Sequence, residues 1–287
     1  MRLGRTLLGA VVLLAAVASS MPRGTALPWP RSGVVVVGET SAEQLDALGP
    51  LWYYDYGFSS EDKPGHRRIY LVPLRYDPLQ LAQAAKKVPN TWWMVGNEPN
   101  DPNQDNLSPD TYAAVYRRVE SALEKAGADV HLMPGGLANA DWEWANAFRE
   151  SYRAQFGDYP DVAAWNIHNY VLEPDRDQLD VPEFQRRIID FRSWMAAIGE
   201  SQKPLFLTEF GALYGTGRHG RPPEDPQRIV AYIDSVVPWL ASTDYVRCWS
   251  WFATETNGQF NGDLYLDGDL SVYGRAYGAA AARYLGS

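Results

Sequence analysis

The chain has 287 residues, of which 46% are hydrophobic and 21% are charged, and its formal net charge is −9. These proportions are typical of a globular protein and exclude a disordered chain, while the single cysteine excludes an intramolecular disulfide. The negative charge argues against nucleic acid or an anionic membrane surface as a main partner, because binding to either relies on basic patches.

The chain opens with a pattern typical of a secretory signal peptide at residues 1–26. Arg2 and Arg5 give it a positive start, and the apolar run at 7–18 is short for a transmembrane helix. Two small-x-small sequences before residue 27 offer cleavage sites. We therefore expect a secreted or otherwise extracytoplasmic protein that is free of the membrane after cleavage. An uncleaved membrane anchor is the alternative.

From Ser32 onward, short β-branched or aromatic runs alternate with longer helical patterns. The runs that predict strands lie at 34–37, 51–56, 68–74, 91–96, 130–133, 162–167, 204–208 and 246–252. The patterns that predict helices lie at 42–48, 79–88, 108–126, 142–156, 183–198, 227–240 and 273–284. No clear helical pattern follows the second strand.

Strands and helices in this alternation match a (β/α)8 barrel, or TIM barrel, of the α/β class. A doubly wound open sheet is the alternative. No linker or change of composition divides the chain after the signal, so residues 27–287 are interpreted as one domain. In such barrels the reacting groups lie at the carboxyl ends of the strands, which directs attention to the polar residues there.

Two glutamates lie at such strand ends. Glu98 follows the fourth predicted strand in Gly-Asn-Glu-Pro-Asn, and Glu209 follows the seventh in Thr-Glu-Phe-Gly. Hydrolysis of a glycosidic bond needs two carboxyl groups, one to protonate the departing oxygen and one to attack carbon or activate water. Either glutamate alone is equally compatible with a surface turn, but together they predict a glycosidase site.

These motifs resemble those of the retaining glycoside hydrolases of clan A. The resemblance implies that Glu98 is the acid/base, that Glu209 is the nucleophile, and that Asn97 contacts the sugar 2-hydroxyl. Ile-His-Asn-Tyr at the sixth strand resembles the His-x-Tyr of the clan, which implies that Tyr170 contacts the nucleophile and that His168 lies beside it.

Two further stretches carry the resemblance. Trp251 resembles the tryptophan of the eighth strand that forms the floor of the sugar site, and residues 264–274 resemble the ending Leu-x-Asp-x-Gly-x-Leu-Thr-x-x-Gly. Within the clan, the chain is most similar to the glycosyl hydrolase catalytic-core group, glycoside hydrolase family 128, whose members include endo-β-1,3-glucanases. Asn100 stands where that family is expected to have aspartate, so families 5 and 39 remain open.

Other side chains at the predicted barrel mouth are candidates for substrate binding. We expect Trp52 or Tyr54, at the end of the second strand, to line a sugar subsite. Arg75, after the third strand, would contact a sugar hydroxyl or orient Glu98 or Asp77. The Gly-rich run 215–220 is interpreted as a flexible loop beside the site rather than as a dinucleotide motif.

The sequence gives no sign of a cofactor or a metal. Its histidines lack zinc-site spacing, and the oxygen-rich loop 101–106 lacks an EF-hand pattern. The resulting hypothesis is a secreted, monomeric retaining glycosidase that acts on an oligo- or polysaccharide, with β-glucan as the expected substrate and β-1,3 as the candidate linkage. The alternative is a non-catalytic carbohydrate-binding TIM barrel. An esterase is disfavoured because no G-x-S-x-G motif occurs.

Overall fold

The computed structural model describes residues 29–49, 51–58, 61–214 and 224–284. The predicted signal peptide at 1–26 and the Gly-rich run at 215–220 lie outside the described residues. Among the described helices, none has both the length and the apolar character needed to cross a membrane.

Eight parallel strands form the centre of the molecule, in the order β5-β4-β3-β2-β1-β8-β7-β6. Their bounds are β1 Ser32–Val36, β2 Trp52–Asp55, β3 Arg67–Val72, β4 Thr91–Val95, β5 Val130–Pro134, β6 Trp165–His168, β7 Leu205–Phe210 and β8 Val246–Phe252. The first strand, β1, pairs with the last, β8, so the strands follow chain order around the sheet and only β5 and β6 lie at its edges. This is the order of a barrel, and the doubly wound alternative is wrong.

The barrel is closed between β5 and β6 by backbone contacts just beyond the end of β5. The Leu137 N–H donates to the Asn166 carbonyl at 3.1 Å, and the His168 N–H donates to the Leu137 carbonyl at 2.9 Å. These bonds bring the loop after β5 directly against the strand that carries His168. The predicted TIM barrel is therefore confirmed.

Seven α-helices surround the strands among the described residues. Their bounds are α1 Ala42–Leu48, α2 Pro78–Lys87, α3 Pro109–Ala126, α4 Trp142–Phe156, α5 Val181–Ala197, α6 Pro226–Ser242 and α7 Val272–Arg283. Side-chain caps fix where they begin; the Ser108 hydroxyl, for example, accepts from the Thr111 N–H at 3.2 Å before Pro109 starts α3. A short hairpin, β9 Tyr265–Leu266 and β10 Asp269–Leu270, precedes α7.

The connection from β2 to β3 contains no helix among its described residues, in agreement with the missing helical pattern. A buried arginine holds this loop. The Arg68 guanidinium bonds Asp55 at 2.6 Å and Asp62 at 3.1 Å, and it also donates to the Gly57 carbonyl. These bonds fix the chain directly after β2, where Tyr56 enters the barrel mouth.

Candidate active site

Glu98 lies on a tight turn after β4. Gly96 and Glu98 both have left-handed backbone angles, with φ of +75° and +44°. Two hydrogen bonds hold the turn: the Asn97 N–H donates to the Asp105 carboxylate at 2.6 Å, and the Glu98 N–H donates to the Gly136 carbonyl at 3.1 Å. Only glycine adopts such an angle at position 96 without strain, and a Cβ there would also strike Asp105. The turn therefore directs the Glu98 side chain into the mouth.

Glu209 lies on β7 and accepts hydrogen bonds from three tyrosines. Its Oε1 accepts from the hydroxyls of Tyr54 and of Tyr56, the latter at 2.8 Å, and its Oε2 accepts from the Tyr170 hydroxyl at 2.9 Å. Burial and the charge of Glu209 raise the pKa of all three hydroxyls well above 10, so each keeps its proton. Three donors around one carboxyl group favour its ionised form, which a nucleophile requires.

His168 lies between the two glutamates. Its Nδ1 is 2.8 Å from Glu98 Oε1 and 3.3 Å from Glu209 Oε2, and the side chain is fully buried. Its other face packs against Gly136, where a Cβ would overlap the imidazole ring. The glycine therefore allows His168 to approach both carboxyl groups at once.

A chain of buried hydrogen bonds fixes which imidazole nitrogen carries a proton. The Asn166 amide donates to the Pro134 carbonyl at 3.3 Å, so its oxygen is free to accept from the Thr208 hydroxyl at 2.8 Å. With its proton used in that bond, Thr208 can only accept from His168 Nε2, at 3.1 Å. Nε2 therefore carries a proton, and the second proton is shared between Nδ1 and Glu98.

The pKa of His168 is set by opposing influences. Burial alone lowers this pKa, but the charge of Glu209 and the hydrogen bond with Glu98 outweigh it, so the pKa lies above the ordinary 6.5. Burial also raises the pKa of Glu209; Glu98 adds to this, while His168 and the tyrosine hydroxyls oppose it. The site thus retains a proton beside Glu98 at a pH where an exposed histidine has lost it.

We expect the free energy of unfolding to fall as the pH rises from about 6.5 through the raised pKa of His168. A group whose pKa is raised by folding stabilises the protein fully below its unfolded pKa and ceases to do so above its folded pKa. The pKa of Glu209 is also raised by folding, so this residue likewise makes the free energy of unfolding fall as the pH rises, beginning at a lower pH. Urea unfolding measured at a series of pH values should show this fall, and His168→Gln should flatten it.

His131 provides the control for this measurement. It lies at the opposite end of the barrel, near the start of β5, where its Nε2 is 2.8 Å from the Asn90 side-chain oxygen. His131→Gln should keep the wild-type dependence on pH. An unchanged dependence in His168→Gln would contradict the assignment of the raised pKa to His168.

Glu98, His168 and Glu209 also present three potential metal-ligand atoms within 4.8 Å of one another. Their hydrogen bonds indicate a different use. Nδ1 of His168 is engaged with Glu98, and both oxygens of Glu209 accept from tyrosine hydroxyls, so a cation would have to displace these bonds. The group fits proton transfer and nucleophilic attack better than metal binding.

The glutamates lie in a cleft of about 770 Å³ with two unlike sides. The polar side comes from the loops after β4 and β5 and includes Asn97, Asp101, Asn103, Gln104 and Asn139. The apolar side comes from β6, β7 and β8 and the segments after them and includes Leu172, Leu213, Tyr214, Phe252 and Phe260. A sugar has apolar C–H faces and a polar rim of hydroxyls, and this cleft offers a surface for each.

Five of the predicted site residues lie together in or directly beneath this cleft: Asn97, Glu98, His168, Tyr170 and Glu209. The Asn97 amide donates to the Gln104 side chain at 3.4 Å, and its Oδ1 has no hydrogen-bond partner among the described residues. Tyr54 is at the site but has no exposed surface, so it orients Glu209 instead of lining a subsite.

The expectations for two tryptophans are wrong. Trp52 is fully buried at the beginning of β2, where its indole N–H donates to the Arg31 carbonyl at 3.1 Å, far from the ends of the strands that form the mouth. Trp251 faces the surrounding helices: its indole N–H donates to the Gly262 carbonyl at 2.7 Å, and its ring packs edge-on against Phe210. Neither ring is available to a sugar.

The expectation for Arg75 is also wrong. This residue is exposed and lines a separate groove between α2 and α3. No hydrogen bond or ion pair with Glu98 or Asp77 is formed among the described residues. Asp77 instead caps α2, accepting from the Leu79 N–H at 2.7 Å. The chain turns outward after β3, which takes the guanidinium away from the cleft.

Tyr56 and Phe252 line the cleft, although neither was among the predicted site residues. Tyr56 is on the same face of the chain as Trp52 and Tyr54 but further toward the mouth, where its ring is 46% exposed and its hydroxyl reaches Glu209. Phe252 takes the place in the cleft that was predicted for Trp251. Alternation along each strand was the signal that could have identified both residues.

Comparisons with known proteins identify the family and the fold of the chain. The family model described as glycosyl hydrolase catalytic core matches residues 34–277. The chain is similar to the structure of a GH128 subgroup II endo-beta-1,3-glucanase from Pseudomonas viridiflava, with 20% identity and a TM-score of 0.64, over 88% of this chain and 98% of that one. No curated protein matches the chain.

Two other structures show the same likeness. One is a subgroup I endo-beta-1,3-glucanase from Amycolatopsis mediterranei in complex with laminaritriose, with 20% identity and a TM-score of 0.65, over 88% of this chain and 99% of that one. The other is a subgroup III curdlan-specific exo-beta-1,3-glucanase from Blastomyces gilchristii in complex with glucose, with 18% identity and a TM-score of 0.65, over 86% and 97%. At these identities, the three structures and this chain share a fold.

Proposed function

Because the chain belongs to the glycosyl hydrolase catalytic core family, we propose that it hydrolyses β-1,3-glucan with net retention of anomeric configuration. The observation that carries the proposal is the pairing of Glu98 and Glu209 across one cleft. One carboxyl group is surrounded by tyrosine donors, and the other shares a proton with a buried histidine.

In the first step, Glu98 donates its proton to the glycosidic oxygen while the Glu209 carboxylate attacks the anomeric carbon. The bond to the leaving sugar breaks, and an ester forms between Glu209 and the sugar. In the second step, the Glu98 carboxylate takes a proton from water, whose oxygen attacks the same carbon and releases Glu209. Two inversions at one carbon give retention.

Retention is supported by the separation of the two carboxyl groups. Retaining enzymes hold them about 5 to 5.5 Å apart, whereas inverting enzymes need about 6.5 to 9.5 Å to fit a water molecule. One carboxylate oxygen of Glu98 and one of Glu209 lie within 4.8 Å of each other. Such close approach favours the spacing of a retaining enzyme over that of an inverting one.

The choice of β-1,3-glucan is supported by the structures with the same fold, which are named endo- and exo-beta-1,3-glucanases. The cleft adds a polar and an apolar side, as a neutral glucan requires. Export is part of the proposal: the 1–26 pattern would deliver the enzyme to a polymer that is too large to enter a cell.

The proposal is tested by incubating the protein without residues 1–26 with β-1,3-glucan, β-1,4-glucan, xylan and mannan and sizing the products. We expect oligosaccharides from β-1,3-glucan above all, and proton NMR should show the β-anomer first. An α-anomer appearing first would refute retention. Saccharide binding with release from none of the polymers would instead favour the non-catalytic carbohydrate-binding barrel.

A further inference from the structure

A second cavity adjoins the catalytic cleft on the side of Glu98. Its volume is about 600 Å³, within the range of small-molecule sites. Asp101, Ala138 and Asn139 line both this cavity and the catalytic cleft, so the two spaces meet at a shared border. A chain molecule that leaves the cleft over this border enters the second cavity.

An amide bridge holds the border in place. The Asn100 side chain donates to the Ala138 carbonyl at 3.1 Å and accepts from the Ala138 N–H at 2.9 Å. The amide can make both bonds with one side chain, whereas an ionised aspartate cannot donate. The residue that departs from the family pattern thus ties the Glu98 turn to the loop after β5.

Trp142 gives the second cavity an aromatic surface. It is the first residue of α4, its side chain is 40% exposed, and it lines the cavity beyond Asn139. The preceding Asp141 fixes this helix start, accepting from the Trp144 N–H at 2.9 Å and from the Asn100 amide at 3.3 Å. Asn100 therefore holds both the border and Asp141, the residue that precedes Trp142.

The three arginines of the cavity are already paired with carboxylates, which outnumber them among the lining residues. Arg187 is paired with Glu183 at 2.8 Å and with Glu173, and Arg176 is paired with Glu183 at 3.2 Å. An anionic ligand would have to compete with these carboxylates for the guanidinium groups. Neutral hydroxyl groups can add to such pairs without breaking them, which favours an uncharged polyhydroxylated ligand.

We propose that this cavity binds the leaving-group portion of the glucan, with Trp142 as the surface on which a sugar ring packs. The proposal rests on the proposed function. A general acid protonates the oxygen of the leaving group, so the leaving sugar adjoins Glu98. The border between the two spaces begins at Asp101, three residues after Glu98 in the chain, and the second cavity lies beyond it.

The test compares Trp142→Ala with Phe156→Ala. Phe156 is a matched control because it lies at the other end of α4, is 42% exposed, and lines a groove away from the cleft. We expect Trp142→Ala to lower kcat/KM for a β-1,3-linked glucohexaose about tenfold, mainly through KM, because truncation removes an aromatic contact. The loss should be much smaller for a nitrophenyl β-glucoside, whose leaving group ends before the cavity.

A second measurement identifies the side of the cleft. With glucohexaose labelled by ¹⁸O at its reducing end, Trp142→Ala should shift cleavage toward that end, because fewer sugars are held beyond Glu98. An equal loss on both substrates, no loss on either, or an unchanged cleavage position would overturn the proposal. If the wild-type protein hydrolyses neither substrate, the proposed function fails. Calorimetric binding of glucohexaose to the two variants then tests the cavity separately: weaker binding to Trp142→Ala than to Phe156→Ala would support it, and equal binding would overturn it.

Discussion

We expect Glu209→Gln to lower kcat on β-1,3-glucan by about 10⁴-fold or more. The amide has nearly the shape of the carboxylate but cannot form the ester with the anomeric carbon, so the first chemical step is lost. Protonation by Glu98 alone does not replace a missing nucleophile. Initial rates of reducing-end release, measured with saturating substrate, test this expectation directly.

The variant should stay folded, which separates a chemical defect from a structural one. Burial raises the pKa of Glu209, so its ionised form opposes folding at neutral pH, and a neutral amide removes that cost. The amide nitrogen cannot accept from the tyrosine hydroxyl that it faces, which acts in the other direction. Thermal unfolding should therefore change little.

Glu255→Gln serves as the matched control for Glu209→Gln. Glu255 is a half-buried glutamate in the loop after β8 and lies outside the residues that line the cleft. We expect this variant to keep wild-type activity. A folded Glu209→Gln protein with activity within tenfold of wild type would rule out Glu209 as the nucleophile.

The two glutamates could be found from sequence because their positions depend on local order. Each follows a short apolar run and precedes a turn, and in a parallel barrel every strand end points to the same rim. That Glu98 and Glu209 meet at this rim can therefore be predicted without knowing the structure of the loops. The same reasoning located His168 and Tyr170, whose strand also ends at that rim.

The side chains that line the cleft were harder to predict, because the face on which each one lies depends on counting residues along a strand. The pairing of β7 with β8 shifts register between Leu207 and Phe210, so three steps along β7 match two along β8. Such an irregularity changes which residues face the interior. On β7 it turns both Thr208 and Glu209 toward His168, whereas along β8 simple alternation puts Phe252 in the cleft and Trp251 against the helices, where it packs against Phe210.

The geometry of the loops was the second feature that could not be predicted from the sequence. The direction of the chain after β3 decides where Arg75 points, and nothing in the local sequence specifies it. The bridge from Asn100 to Ala138 joins residues 38 positions apart, so its function as a border became visible only in the folded chain. The departure of Asn100 from the family motif could be seen in the sequence, but its partner, Ala138, could not.

We expect Glu98→Ala to lower kcat/KM on β-1,3-glucan by about 10²- to 10⁴-fold, the range typical of a lost general acid. The loss should depend on the leaving group. A sugar alkoxide needs protonation as it departs, whereas a dinitrophenolate leaves without it, so a dinitrophenyl β-glucoside should still form the glycosyl-enzyme. Without Glu98 to deprotonate water, the second step then becomes rate-limiting, and a burst of dinitrophenol should precede slow turnover.

Azide distinguishes this role from any other that Glu98 could have. The anion needs no deprotonation, and removal of the side chain opens space for it, so azide should accelerate the slow step and yield the β-glycosyl azide. The same addition should leave Glu209→Gln inactive on this substrate, because that variant forms no glycosyl-enzyme. An α-glycosyl azide from Glu98→Ala, or equal losses on glucan and on the dinitrophenyl glucoside without acceleration by azide, would show that Glu98 is not the acid/base.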